Sequence, residues 1–242
     1  MSIVPPGAVP AVDPARDTDL GLPEQWWTRV GHDLRGPLGP MRMAVQLLRS
    51  GRAEAGEQQE ALQVLDRQID RLLGEIEDVA DLLRLRNGAL VLRLRDDDLN
   101  LVFDPIAGRA SLQRVLAERG QQLECLSADA EVPARFDVAR LSGLLEFVLR
   151  KAAQHAGAGG TLRVALEAGA GRPALLVSGF DAGLFDDAEL AWLLDAPGAD
   201  AAQVTTRGVL VREIARRAGI AIDAMQSPPG LALRIPESTP AP

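Results

Sequence analysis

The chain has few of the residues that many functions require. Of its 242 residues only Cys125 is a cysteine, tyrosine is absent, and aromatic residues make up 3%. A single thiol excludes an internal disulfide and indicates a cytoplasmic protein. No apolar run reaches the roughly 20 residues that span a bilayer, so we expect no membrane span. The net charge of −8 argues against nucleic-acid binding, which needs excess Lys and Arg to neutralise phosphates.

The composition changes along the chain and predicts four parts. Residues 1–22 combine prolines with acidic residues and lack the basic and apolar regions of a secretory signal, so we expect a disordered leader. Residues 23–87 carry a helical pattern, residues 88–237 mix helices with short strands, and residues 238–242 form a tail. The mixture lacks a strict βαβ repeat, which is typical of an α+β fold.

Residues 23–87 predict an antiparallel hairpin of two long helices. Apolar residues recur every three or four positions between 30 and 48 and between 62 and 83. Gly36-Pro37 predicts a kink in the first helix. One chain cannot bury so long an apolar seam alone, so we expect two copies to form a four-helix bundle. A coiled-coil adaptor explains the helical pattern equally well.

Residues 88–237 predict an alternation of helices and strands. We expect a strand over Ala89–Leu94, a helix over Ile106–Arg119, a helix over Val138–His155 and a hairpin of Leu162–Glu167 with Ala174–Ser178. Further strands are predicted at 122–126, 134–136, 220–225 and 231–235, and further helices at 189–194 and 208–218.

One segment of the first helix carries chemistry. It reads Gly31-His32-Asp33-Leu34-Arg35-Gly36-Pro37-Leu38 and contains one of the two histidines of the chain. An imidazole beside a carboxylate on a helix suits reversible phosphoryl transfer, since neutral imidazole is a nucleophile when its other nitrogen is held as a donor. A His-Asp pair alone is weak, because most such pairs are ordinary surface residues.

This segment, the hairpin and the run from Leu82 to Gly88 followed by Leu90, Leu92 and Leu94 resemble the catalytic core of a sensor histidine kinase. The resemblance covers roughly residues 26–236. It implies a dimerising phosphoacceptor hairpin followed by an ATPase-like sandwich of the kind shared with gyrase and heat-shock chaperones. It also implies that His32 is the phosphoacceptor and that Asp33 orients and activates it.

The resemblance implies an acidic partner, the receiver domain of a response regulator, and an upstream sensor kinase is a further candidate. Arg35, Arg42 and Arg49 recur every seven residues, and Arg29 lies one turn before the histidine. These arginines form a candidate partner-binding stripe for an acidic surface. A solvated helix face explains them equally well.

The helix predicted over Val138–His155 departs from the family at two positions. Phe147 and Lys151 stand where the family carries asparagines, the second of which binds metal. An ammonium cannot ligate Mg²⁺, which needs oxygen ligands. His155 lies at the end of this helix, where we expect it to act as a cap or a favourable charge.

Two further motifs of the family's nucleotide site are also altered. Gly179 stands at the position of the adenine-binding aspartate, while Asp181 and Gly183 can be reached only by a shift of two residues. Arg207 and Gly208 lie in a turn with a single glycine, where the family has a glycine-rich phosphate-binding turn. We expect no metal site and no cofactor, with binding of ATP and Mg²⁺ lost or weak.

The sequence therefore predicts a phosphotransfer protein whose His32 exchanges a phosphoryl group with a receiver aspartate and binds little or no ATP. Two alternatives stay open. One is an active sensor histidine kinase with an atypical ATP site, and the other is a non-catalytic adaptor that binds a kinase or a receiver.

Overall fold

The computed structural model describes residue 22 and residues 24–168 and 171–238. The expected leader lies outside these residues except for Leu22, and so does the expected tail except for Ser238. The helical region contains α1 (Glu24–Arg35), α2 (Leu38–Arg49) and α3 (Ala55–Arg86). The predicted hairpin is confirmed, and Gly36-Pro37 interrupts its first arm because proline has no N–H to donate to the helix.

The turns of the hairpin follow from its sequence. Gly51 and Gly88 adopt φ values of 64° and 66° just past the ends of α2 and α3, a conformation that glycine accepts without a steric penalty. Glu54 caps α3 in a reciprocal pair with Glu57. Much of the apolar seam stays exposed in one chain, including Leu38, Val45, Leu62, Ile69, Leu73 and Ile76.

The second region contains five helices and seven strands among the residues described. The helices are α4 (Phe103–Ala107), α5 (Ala110–Glu118), α6 (Val138–His155), α7 (Ala188–Leu193) and α8 (Thr206–Arg217). The strands are β1 (Arg95–Asp98), β2 (Gln122–Leu126), β3 (Pro133–Phe136), β4 (Thr161–Glu167), β5 (Ala174–Ser178), β6 (Ala221–Gln226) and β7 (Pro229–Arg234). Short 3₁₀ turns follow β1, precede α7 and precede α8.

The strands form a sheet of five, ordered β2-β4-β5-β7-β6, and a separate pair β1-β3. Only β2 and β4 run parallel in the larger sheet. Helix α6 packs on this sheet and is buried from Leu141 to Leu149. Asp137 caps it by accepting a hydrogen bond from the Arg140 amide at 3.1 Å. The predicted α+β class is confirmed.

Two predicted elements are wrong. Residues 89–94 are an irregular linker, because Leu90 and Leu92 pack with Leu85 of α3 and Ile214 of α8 while Val91 is exposed. The helix predicted over 106–119 is broken between α4 and α5, because Gly108 caps the end of α4 and Arg109 is extended with ψ 102°.

Ion pairs join α3 to the second region. Asp78 accepts a hydrogen bond from Arg207 on α8 at 2.7 Å, and Asp81 accepts from Arg140 on α6 at 2.5 Å and from Arg84 at 2.8 Å. Burial raises the pKa of Asp78 despite this arginine. Burial also opposes ionisation of Asp81, but the hydrogen bonds from its two arginines outweigh it and lower the pKa of that carboxyl.

Across the described ranges, no helix has the length and apolar character to cross a bilayer.

Candidate functional site

The His32 imidazole projects from the last turn of α1. Its side chain is 84% exposed, and Nδ1 lies 3.3 Å from Oδ1 of Asp33. An ionised carboxylate only accepts hydrogen bonds, so Nδ1 is the donor in this contact. The tautomer that satisfies this contact carries its proton on Nδ1, so the lone pair on Nε2 stays available and Nε2 is the ring nitrogen that can act as a nucleophile.

The Asp33 carboxylate is more enclosed, at 25% exposed, and has a second neighbour in Arg29. The Arg29 Nε atom lies 3.8 Å from Oδ2 of Asp33. The same guanidinium donates from Nη1 to the carbonyl oxygen of Ala202 at 2.6 Å. Arg29, which the sequence assigned to a partner-binding stripe, thus contacts a loop of its own chain.

Helix α1 is anchored to that loop by a tryptophan. Trp26 is 1% exposed and donates from Nε1 to the carbonyl oxygen of Val204 at 3.0 Å. Its ring packs in a cluster with Val30, Leu82 and Val209. The loop over 201–204 is therefore held against the helix that carries the histidine. The other members of the predicted stripe, Arg35, Arg42 and Arg49, are exposed along α1 and α2.

The ammonium of Lys151 is held by two carboxylates. Its side chain is 17% exposed, and Nζ lies 3.1 Å from Oδ2 of Asp187 and also contacts Oε2 of Glu189. Burial opposes the charged form, but hydrogen bonds and charge interactions with Glu189 and then Asp187 outweigh it and raise the pKa of Lys151. The positive charge of Lys151, which cannot ligate a metal ion, is thus neutralised by carboxylates of the same chain.

Glu189 links this ion pair to the first turn of α8. Its Oε1 atom accepts hydrogen bonds from the Thr205 amide at 2.8 Å and from the Thr205 hydroxyl. The Thr205 hydroxyl in turn accepts from the Gly208 amide at 3.2 Å. A Cβ at Gly208 would lie 2.9 Å from Oε1 of Glu189 and 2.6 Å from Val204, so glycine is needed here for packing.

The remaining predicted nucleotide positions serve packing or domain contact. Phe147 is 7% exposed within the main core. Arg207 bonds to Asp78 on the hairpin and to the carbonyl oxygen of Gly143 at 3.3 Å, so it bridges the two regions.

The glycines near the end of β5 form a tight turn. Gly179 has φ 96°, and a Cβ there would lie 2.1 Å from the carbonyl oxygen of Thr161, so no larger residue fits. Asp181 is 72% exposed and accepts a hydrogen bond from the Gly183 amide at 2.8 Å. His155 ends α6 with its Nδ1 atom 3.9 Å from Oδ1 of Asp181.

Burial raises the pKa of Glu75 on α3. The charges of Asp78, Asp33 and Glu189 add to that rise, and the charge of Arg71 opposes it. Within residues 24–168 and 171–238, no group of His, Cys, Asp and Glu is arranged to hold a metal ion. The sequence did not identify Asp187 and Glu189, although a lysine on a mostly buried helix is itself a signal to look for acidic partners.

Comparisons with known proteins agree with this architecture. Residues 24–88 match the family model of the His Kinase A (phospho-acceptor) domain. No curated protein sequence matches the chain. The fold resembles the Acinetobacter baumannii histidine kinase AdeS, with TM-score 0.58 and 16% identity over 86% of this chain and 98% of that one.

Two longer structures show the same fold. Histidine kinase ThkA, solved in complex with the response regulator protein TrrA, has TM-score 0.59 and 14% identity over 89% of this chain and 62% of that one. Full-length ShkA in complex with AMPPNP has TM-score 0.54 and 19% identity over 91% of this chain. The chain spans 47% of the length of ShkA.

The sequence match covers the hairpin, and the structural matches cover both regions. Residues 24–88 are therefore similar to the His Kinase A phospho-acceptor domain, and the two regions together have the fold of the histidine kinase structures that they resemble.

Proposed function

We propose that the protein is a cytoplasmic phosphotransfer protein of two-component signalling, in which His32 exchanges a phosphoryl group with the aspartate of a receiver domain. The observation that carries the proposal is an exposed imidazole whose Nδ1 proton is held by Asp33 inside a phospho-acceptor domain. This geometry leaves Nε2 free to attack phosphorus.

The transfer step needs only the His32 imidazole and the phosphorylated aspartate of the receiver domain. Nε2 of His32 forms a bond to phosphorus while the bond between phosphorus and the receiver carboxylate breaks, and the carboxylate leaves as an anion. The ring gains positive charge as the bond forms, and the Asp33 carboxylate beside Nδ1 stabilises that charge. The reverse step returns the phosphoryl group to an aspartate.

The residues at the nucleotide positions do not fit ATP with Mg²⁺. Lys151 presents an ammonium where an oxygen ligand is needed. Glu189 occupies the turn before α8 through the Thr205 amide and hydroxyl, so its negative charge would repel a phosphate there. We therefore propose that the phosphoryl group comes from a protein donor.

Two partners complete the proposal. The exposed apolar residues of the hairpin favour a second copy of this chain, which would bury them in a four-helix bundle. Arg35, Arg42 and Arg49 are exposed along α1 and α2, the helical arm that carries His32, and they favour an acidic receiver domain. The crystal structure of ThkA holds a response regulator, and this likeness supports the same class of partner here.

A pair of labelling assays tests the proposal on the full chain. One assay supplies radiolabelled ATP with Mg²⁺, and the other supplies receiver domains that carry a labelled phosphoryl group. We expect label from receivers only, and none on His32→Gln. Label from ATP would favour an active kinase, and label from neither source would favour an adaptor.

A further inference from the structure

We propose that Arg29 is a positioning residue for His32 and that the loop over 201–204 holds Arg29 in place. The inference rests on the proposed function, because positioning matters only if His32 reacts. It assigns a role to the second region, although that region lacks a fitting nucleotide site.

The contacts form one chain of polar groups from the loop to the ring. The Ala202 carbonyl accepts from Nη1 of Arg29 at 2.6 Å. The Nε atom of Arg29 lies 3.8 Å from Oδ2 of Asp33. The other carboxylate oxygen of Asp33 lies 3.3 Å from Nδ1 of His32. Each carboxylate oxygen therefore has its own neighbour, and the carboxylate is held between them.

The fork of the guanidinium explains why arginine suits this position. Its Nε and Nη1 atoms have a fixed separation and direction, so a contact at Nη1 restricts where Nε lies. A single exposed ion pair contributes little because two long side chains must be ordered. Here the loop carbonyl orders Arg29, which lowers the entropic cost of holding Asp33.

The loop itself has a firm support. Trp26 lies one turn before Arg29 on α1, and its buried indole bonds to the Val204 carbonyl at 3.0 Å. The two contacts fix the loop against α1 at residues two positions apart. Movement of the loop away from α1 would therefore release Arg29 and then Asp33.

The chemical consequence concerns the tautomer of the imidazole. An oriented Asp33 favours the tautomer with the proton on Nδ1, which leaves Nε2 as the nucleophile. Without Arg29 the carboxylate samples other rotamers, and the two tautomers become more nearly equal. Partners that orient metal-binding histidines typically contribute roughly 10–100-fold to affinity or activity. By analogy, we expect Arg29→Ala to lower the rate of phosphoryl transfer about tenfold, at the lower end of that range because the site is exposed.

The test measures the tautomer directly and does not depend on phosphorylation. ¹⁵N NMR of the full chain at about pH 8.5, well above the ordinary pKa of histidine, reports which ring nitrogen of His32 carries the proton. We expect the Nδ1–H form to predominate in the wild type and to fall in Arg29→Ala. Trp26→Phe keeps an aromatic ring but removes the indole donor, and we expect a smaller change in the same direction.

The controls separate this inference from the proposed function. Arg52→Ala removes an exposed arginine from the loop between α2 and α3 and should leave the spectrum and the transfer rate unchanged. Arg29→Lys keeps the charge without the fork and should restore the tautomer only in part. Unchanged tautomers in folded Arg29→Ala would overturn the inference. A wild type with the Nδ1–H tautomer that accepts no phosphoryl group would instead overturn the proposed function.

Discussion

The His32 segment on α1 and the cluster of Lys151, Asp187 and Glu189 differ in whether their polar groups already have partners within the chain. His32 is 84% exposed and has one carboxylate neighbour, whereas Lys151 is 17% exposed and has two. A reactive group must keep a free lone pair that a partner can reach, and only His32 does so. Whether a residue at a functional position can react therefore depends on whether its polar groups already have partners inside the chain.

The largest expected effect separates the two histidines of the chain. His32→Gln should reduce phosphoryl labelling by a phosphorylated receiver to background, because the nucleophilic nitrogen is gone. His155→Gln is the matched control, since His155 ends α6 beside Asp181, and it should label at the wild-type rate. Labelling that persists in His32→Gln would place the acceptor elsewhere.

The next effect concerns the stability of the Lys151 cluster. Lys151→Ala leaves Asp187 and Glu189 without their cation, and we expect a loss of about 3 kcal/mol in the free energy of unfolding. Urea denaturation measures it. Arg150→Ala, at the neighbouring exposed position, should cost less than about 1 kcal/mol. A loss for Lys151→Ala of less than about 1 kcal/mol would contradict a stabilising role of these ion pairs.

Alkaline pH should weaken the same cluster. The folded-state pKa of Lys151 is raised above the ordinary value of 10.5, so its contribution is fully present below that value and is lost as pH rises through the folded pKa. Lys151 is the only lysine and tyrosine is absent, so few other groups titrate there. Burial also raises the pKa of the Cys125 thiol, which lowers stability over part of this range.

A Cys125→Ser background separates the two contributions. In that background, the free energy of unfolding should fall as pH rises above about 10.5 in the chain with Lys151 and should change less in the additional Lys151→Ala variant. Parallel curves for the two variants would contradict the assignment.

Substitution of two glycines by alanine should change the free energy of unfolding by smaller amounts and in opposite directions. Gly208→Ala places a Cβ against Val204 and Glu189 and should cost roughly 1–3 kcal/mol as these side chains shift. A thermal melting temperature of this variant equal to that of the wild type would show that the turn before α8 accommodates the added methyl group without strain.

Gly74 lies inside α3, and a Cβ added at this position would have no atom within 4 Å. We expect it to stabilise the chain by about 0.5–1 kcal/mol because alanine loses less entropy in a helix. Thermal unfolding of this variant beside Gly208→Ala compares the two regions directly, and a lower midpoint for Gly74→Ala would indicate a close contact at that face.

The sequence predicted most of the fold because its signals are local. Helix α6 begins and ends where Asp137 and His155 indicated, and the kink at Gly36-Pro37 needs only the chemistry of proline. The strand predicted over 89–94 failed because its apolar pattern serves packing against α8 instead of a sheet ladder.

The candidate site could be predicted only in part because its contacts join distant residues. Lys151 was recognisable from its charge, but Glu189 lies 38 positions later in the chain. Arg207 reaches Asp78 across 129 positions, and Arg29 reaches Ala202 across 173. In the sequence, Arg29 one turn before His32 suggests a partner-binding surface. Only the folded structure shows that Arg29 contacts the loop over 201–204.

The most direct measurement follows a labelled phosphoryl group from one receiver domain to a second one through the full chain, with no nucleotide present. We expect label on the protein and then on the second receiver, with neither transfer in His32→Gln. Label that reaches the protein only when ATP and Mg²⁺ are added would contradict it.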